Sequence, residues 1–229
     1  MPSTRDTSGK EQVANAWSHN WARWSLETLY AGLTRVDSVQ PVDLIFVMAG
    51  RMNRKQYGLE LYRQGVAPKL VLSVGRFEVS KMLPTEFAFV DELTALRSVT
   101  PPNQRHFFVS LDRFGTRVEL ASVPQWNTYG EVVGLMRQLE REHAAKVMVV
   151  STAIHLRRVA HTIRKVLTDS PLDFIYCPVP EGDSPRQGCW WTRSDSRSYV
   201  LSEMMKLVGY GLILSMPVWA ARRLMRLRG

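Results

Sequence analysis

VDLIFVMAG (residues 42–50) and KLVLSVG (residues 69–75) are the two stretches whose reading decides the fold. Leu44–Ala49 and Lys69–Val74 are nearly continuous apolar runs, as strands covered on both faces require. Gly50 and Gly75 close them. Between them Tyr57, Leu61 and Tyr62 mark a helix, and Gly65-Val66-Ala67-Pro68 reads as its stop. A strand, a helix and a strand in this order make a unit whose strands lie parallel, joined by a right-handed crossover.

Working outward, the same alternation continues. Residues 84–98 read as a helix ended by Pro101 and Pro102, and HFFVSLDRFGTRVELASV reads as a β-hairpin turning at Asp112–Gly115. A helix from Tyr129 to His143, a strand at Lys146–Val150, a helix at His155–Leu167 and a strand at Leu172–Val179 follow. Upstream, Trp17, Trp21, Trp24, Leu26, Leu29, Tyr30 and Leu33 recur at helical spacing between Val13 and Val36, and a tryptophan stripe of this kind is expected to be a packing face. The predicted fold is α/β: a doubly wound, mostly parallel, Rossmann-like three-layer sheet with an N-terminal helix, an inserted hairpin and a C-terminal helix. Residues 1–12 are expected to be a flexible tail. Residues 13–229 are expected to form one domain, with its core at 42–180 and its last helix at 199–226.

The chain carries a formal net charge of +9, which favours an anionic partner without choosing among nucleic acid, acidic lipid and phosphorylated metabolites. No C₂H₂ spacing, RNP-like aromatic block or zipper-type basic helix is present, so nucleic acid is not expected. Cys177 and Cys189 have no metal-ligand spacing and read as reduced thiols, and no metal site is expected. The start, MPSTRDTSGKEQ, contains no apolar signal segment, which points to the cytoplasm. The uncharged run LVGYGLILSMPVWAA (207–221) falls short of the roughly 18 residues of a spanning helix. With Arg222, Arg223, Arg226 and Arg228 behind it, it is either a core helix with a basic end or an interfacial anchor on the inner face of an anionic membrane.

In an open parallel sheet ligands bind beyond the carboxyl ends of the strands. The segments there are Gly50-Arg51 with Arg54, Ser73 to Gly75, Asn127-Thr128 and Ser151 to His155. Glycines admit a close approach of backbone to ligand. Thr128 and Thr152 start helices whose exposed N–H groups attract an anion. Arg51, Arg54 and Arg158 offer forked charge-assisted contacts. His155 is the candidate for moving a proton near neutral pH, with Glu131 as its catalytic companion and Glu86 as a further carboxylate. Carboxylates near helix starts are more often dipole partners than catalysts. Asp43, at the opposite end of its strand, is structural. Cys189, Trp190, Trp191 and Arg193 lie in a Gly- and Pro-rich loop that is a lid, a docking patch or an apolar plug.

The succession VDLIFVMAG, LYRQGVAPKLVLSVG, QWNTYGE and VMVVSTAIHLRRVA resembles the YdcF-like family, which includes SanA and ElyC, over about residues 42–175. The resemblance implies a nucleotide-binding type of α/β fold and a link to bacterial envelope and polysaccharide biogenesis. It carries over Gly50, Ser73, Gly75, Glu86, Asn127, Thr128, Glu131, Thr152, His155 and Arg158. The chain departs from the family pattern at Val74, where glycine is usual, and at Glu131, one place late. The function expected is binding of a phosphorylated or nucleotide-like small molecule, with phosphate-group hydrolysis or transfer as the chemistry. A non-catalytic sensor and an S-adenosylmethionine-type domain are the alternatives, and no cofactor is assigned.

Overall fold

The computed structural model describes residues 8–82, 87, 89–121, 128–167, 171–180 and 185–216, with side chains from Trp21 onward. A six-stranded sheet has the order β4-β3-β2-β1-β5-β6. Its strands are β1 (Leu44–Val47), β2 (Leu70–Gly75), β3 (His106–Asp112), β4 (Gly115–Leu120), β5 (Lys146–Ser151) and β6 (Asp173–Pro178). β1 runs parallel to β2 and β5, with Ile45 opposite Leu70 and Leu44 opposite Val147. β6 continues the parallel set beside β5. The hairpin β3–β4 joins antiparallel to β2 and extends the sheet at that edge.

Strand alternation makes two cores. Ile45 and Val47 face one way, with Leu70 and Leu72, toward Leu59 and Leu61 of α2 (Met52–Arg63) and Leu93 of α4 (Val90–Val99). The short helix α3 (Val79–Met82) packs Val79 and Met82 on the same side. Leu44, Phe46 and Met48 face the other way, toward Val132 and Leu135 of α5 (Thr128–Glu142) and Leu156 and Val159 of α6 (Ala153–Val166). This double burial is what the unbroken apolar runs require. α2 sits so close on β1 that a Cβ on Gly58 would fall 2.3 Å from Val47 Cγ2.

A third cluster joins the first helix to the last described one. Tyr30 and Leu33 of α1 (Ser8–Leu33) pack with Ile154, Trp190 and Val200, the last on α7 (Ser194–Ser215). Trp190 donates its indole N–H to Leu26 O at 3.2 Å, and Tyr30 donates to Pro185 O. Of the three readings of the tryptophan loop, Trp190 is the plug. Beyond α1 the chain lies along β6: Asp37 N–H donates to Tyr176 O at 2.8 Å, and Tyr176 N–H donates to Asp37 Oδ2 at 2.9 Å. Asp43 holds the strand starts at the far rim, accepting from Ala145 and Lys146 N–H.

Several boundaries differ from expectation. α1 starts at Ser8 rather than Val13, because Lys10, Glu11 and Gln12 are good helix formers that need no apolar face. Trp21 and Trp24 are 61% and 59% exposed and pack edge-to-face on each other; the packing face is Leu26, Tyr30 and Leu33. α4 starts at Val90, with residues 84–86 and 88 of the expected helix outside the described ones. α7 starts at Ser194, where Asp195 complements the helix dipole, and ends at Ser215 instead of continuing to 226; the arginines beyond it lie outside the described residues. Among the described residues no helix is long and apolar enough to cross a membrane.

Candidate functional site

From β1 the chain passes to β2 on one side and later returns to β5 on the other, which places the topological switch between β1 and β5. A cleft of about 540 Å³ opens at this rim. Gly50 after β1, Gly75 and Glu78 after β2, Thr128 and Glu131 on α5, and His155 and Arg158 on α6 all line it. Gly50, Gly75, Thr128, Glu131, His155 and Arg158 were expected at one rim from sequence, and they meet there. Glu86 and Asn127 lie outside the described residues.

The backbone of the β1–α2 loop is not an open anion cradle. Glu131 Oε1 accepts from Ala49 N–H at 2.5 Å, and Glu78 Oε1 accepts from Gly50 N–H at 2.5 Å and Gly75 N–H at 3.4 Å. Glu78 thus occupies the amides of both glycines, and Glu131 that of Ala49. Gly50 has φ +136°, and a Cβ there would meet Arg54 Nη1 at 2.6 Å. Glu78 also binds the ammonium of Lys55, whose Nζ donates to Met48 O at 3.3 Å. Burial pushes the Glu78 carboxyl up and the Lys55 ammonium down, while their direct contact opposes both shifts.

Arg54 is buried and absent from the cleft lining. It ties two loops together, donating to Ala49 O at 2.5 Å, to Thr152 Oγ1 at 3.2 Å and to His155 Nδ1 at 3.3 Å. Thr152 does not cap α6 through its hydroxyl, which instead meets Arg54 and the Tyr199 hydroxyl. Arg51 is exposed beside the site, its guanidinium 5.8 Å from the Tyr199 ring.

A guanidinium can only donate, so the contact from Arg54 makes His155 Nδ1 an acceptor and puts the proton on Nε2. Ser151 Oγ lies 2.8 Å from the same Nδ1. Nε2 then donates to Thr128 Oγ1 at 3.3 Å. Burial, then Arg54 and Arg158, hold the imidazole well below its ordinary pKa. The expected proton transfer near neutral pH is therefore not supported: His155 is a neutral hydrogen-bond relay.

Thr128 Oγ1 also accepts from Arg158 Nη1. With both lone pairs engaged, its own proton is left to donate, and Thr128 lines the cleft. Arg158 is fixed in turn by Glu203 of α7, with Nη2 to Oε2 at 2.9 Å, and Glu203 also accepts from Lys206 at 2.9 Å. Burial alone would raise the Glu203 carboxyl, but Arg158 and Lys206 hold it below its ordinary value. On the opposite wall His106 Nε2 meets Ser73 Oγ at 2.8 Å, and burial depresses this imidazole to about 4.

Sequence reasoning missed Glu78, His106, Glu203 and Lys206. His106 starts a strand, but β3 is antiparallel and places that start opposite Gly75 at the site rim. An alternating run followed by a tight turn, next to a parallel pair, was the available signal. Glu203 and Lys206 sit on α7, whose packing across α6 has no local signature. Around the cleft five cations (Arg54, Lys55, Arg76, Arg158, Lys206) stand against three carboxylates (Glu78, Glu131, Glu203), leaving the region net positive. Among the described residues no three His, Cys, Asp or Glu side chains converge as a metal ion would require. Compared with protein-family models, curated proteins and solved structures, the chain gives no match in any of the three.

Proposed function

We propose that this chain is a YdcF-like protein that binds a phosphorylated or nucleotide-like small molecule in the cleft at the switch between β1 and β5. The observation that carries the reading is the Thr128 hydroxyl on the cleft wall, whose oxygen meets Arg158 and His155 and whose own proton is left to donate. Arg76, Arg158 and Lys206 on the walls favour an anion. Glu131 and Glu78 supply acceptors suited to the hydroxyls of a sugar or ribose. The sequence resemblance attaches this ligand class to bacterial envelope or polysaccharide biogenesis.

One observation favours binding without chemistry. Both cleft carboxylates are engaged by backbone N–H groups, and the nearest histidine is enclosed and neutral. A sensor that uses the pocket to read a metabolite is the second reading. Thermal unfolding in the presence of nucleotides, sugar nucleotides, polyprenyl phosphates and S-adenosylmethionine tests both. A phosphorylated ligand at a hundredfold excess over its Kd stabilises the fold by about 2.7 kcal/mol. Thr128→Val, close to isosteric, is expected to weaken that ligand about 10- to 100-fold, the worth of one hydrogen bond to a charged group. A panel without any stabilising phosphorylated compound, or an unchanged affinity in T128V, removes the proposal. Turnover of the bound compound separates the enzyme from the sensor.

A further inference from the structure

A second cleft, of about 490 Å³, lies on the other side of α6, between that helix, α7 and β6. Among the described residues it shares no lining residue with the first. Arg35, Arg157, His161 and Arg164 provide its polar walls, and among the described residues no carboxylate lines it. Arg157 is exposed and has no hydrogen-bond or ion-pair partner among the described residues. Arg35 is only loosely paired, 3.5 Å from Asp37, with its guanidinium 5.1 Å from the Tyr176 ring.

His161 decides what this cleft is built for. Arg164 Nη2 lies 3.3 Å from its Nδ1, and since a guanidinium only donates, Nδ1 accepts and the proton sits on Nε2. That Nε2–H is buried and has no acceptor among the described residues. A buried donor without a partner is costly unless something fills the gap. An oxyanion supplies the acceptor and answers the three guanidiniums at once. Burial and then Arg164, Lys165 and Arg157 keep the imidazole below its ordinary pKa, so it meets the anion as a neutral donor.

We infer that the cleft formed by Arg35, Arg157, His161 and Arg164 is a second anion site, and that it takes a phosphate monoester. Three forked cations lining one cleft match a dianion with three terminal oxygens better than a carboxylate with two. The group comes either from a soluble phosphomonoester or from a lipid such as phosphatidic acid. Leu207 and Gly211 of α7 form the cleft's other wall, and their neighbours Val208 and Leu212 are exposed, so an acyl chain has an apolar surface to follow. The site is independent of the cleft at the switch point.

The test follows the C2 proton of His161 by NMR in the full chain at pH 7. The chain has five histidines, and the signal is assigned by its loss in His161→Gln. The probes are inorganic phosphate and a short-chain phosphatidic acid below its micelle concentration, with sodium chloride matched for ionic strength. Saturable movement of the His161 signal, weakened at least tenfold in R157Q/R164Q, supports the site. Phosphatidic acid binding tenfold tighter than phosphate assigns a lipid source, and equal affinity assigns a soluble one. Thr128→Val leaves this response unchanged, which separates the site from the first cleft. Movement with neither probe, the same movement with chloride, or full retention in R157Q/R164Q overturns it.

Discussion

Glu203 and Arg158, 45 residues apart, form a buried fork: Nε to Oε2 at 3.1 Å, Nη2 to Oε2 at 2.9 Å and Nη2 to Oε1 at 3.3 Å. The pair clamps α7 to α6 and aims the remaining guanidinium nitrogen, Nη1, at Thr128. Truncating one partner strands the other charge. Glu203→Ala is expected to destabilise the fold by about 3–5 kcal/mol, whereas replacing both residues with methionine recovers most of that loss. Urea denaturation of the two variants measures it. An E203A midpoint close to wild type would show that water already screens the pair.

Acid should weaken this protein through His106. Its folded pKa is about 4, against an ordinary 6.5, and burial is the main cause. As pH falls from 6.5 toward 4 the unfolded chain takes up a proton that the folded chain refuses, so stability is lost across that window, by about 3 kcal/mol. His155, depressed for the same reason, adds to the slope in the same direction. His106→Gln keeps a partner for Ser73 and is expected to flatten the limb without abolishing it. Chemical denaturation at a series of pH values checks this; an H106Q profile parallel to wild type contradicts it.

Gly58 is a packing residue. Alanine is normally the better helix former by about 1 kcal/mol. Here a Cβ would strike Val47 Cγ2 at 2.3 Å, in the core layer between α2 and β1. Gly58→Ala is therefore expected to destabilise by about 1–3 kcal/mol, as overpacking does. Combining it with Val47→Ala, which removes the struck methyl, should make the two changes less than additive by more than 0.5 kcal/mol. Strict additivity in thermal unfolding would refute the steric explanation.

Trp190 is 4% exposed, donates to Leu26 O of α1 and shares a core cluster with Val200 of α7. Trp190→Ala is expected to destabilise by about 3–5 kcal/mol. It should also free α1 first, seen as early protease cleavage before Leu33. Cleavage at an unchanged rate would place the stability of α1 elsewhere.

The sheet was legible because its central strands are apolar without interruption: Leu44 to Met48 and Val147 to Val150 admit no other reading. The rim residues Gly50, Thr128 and His155 followed from the rule for parallel strands. Their partners did not, because Glu78 reaches Gly50 and Glu203 reaches Arg158 through tertiary packing that leaves no periodic trace. Burial also reversed a role: His155 looked like a proton carrier from its type, and its two arginine neighbours make it a fixed neutral group. The tryptophan stripe misled for the opposite reason, since helical spacing reports a shared face and not what covers it.

The short segment after α1 has a consequence for solubility. A sheet of six strands has two open borders, each a template on which another chain can add itself. Asp37 closes one, its main chain and carboxylate answering Tyr176 O and Tyr176 N–H on β6. The other is β4, whose exposed Gly115, Thr116 and Arg117 make a poor platform for pairing. Removing residues up to Asp37 would therefore leave the N–H and C=O of Tyr176 unpaired on the border, and the protein so shortened is expected to grow into oligomers along it.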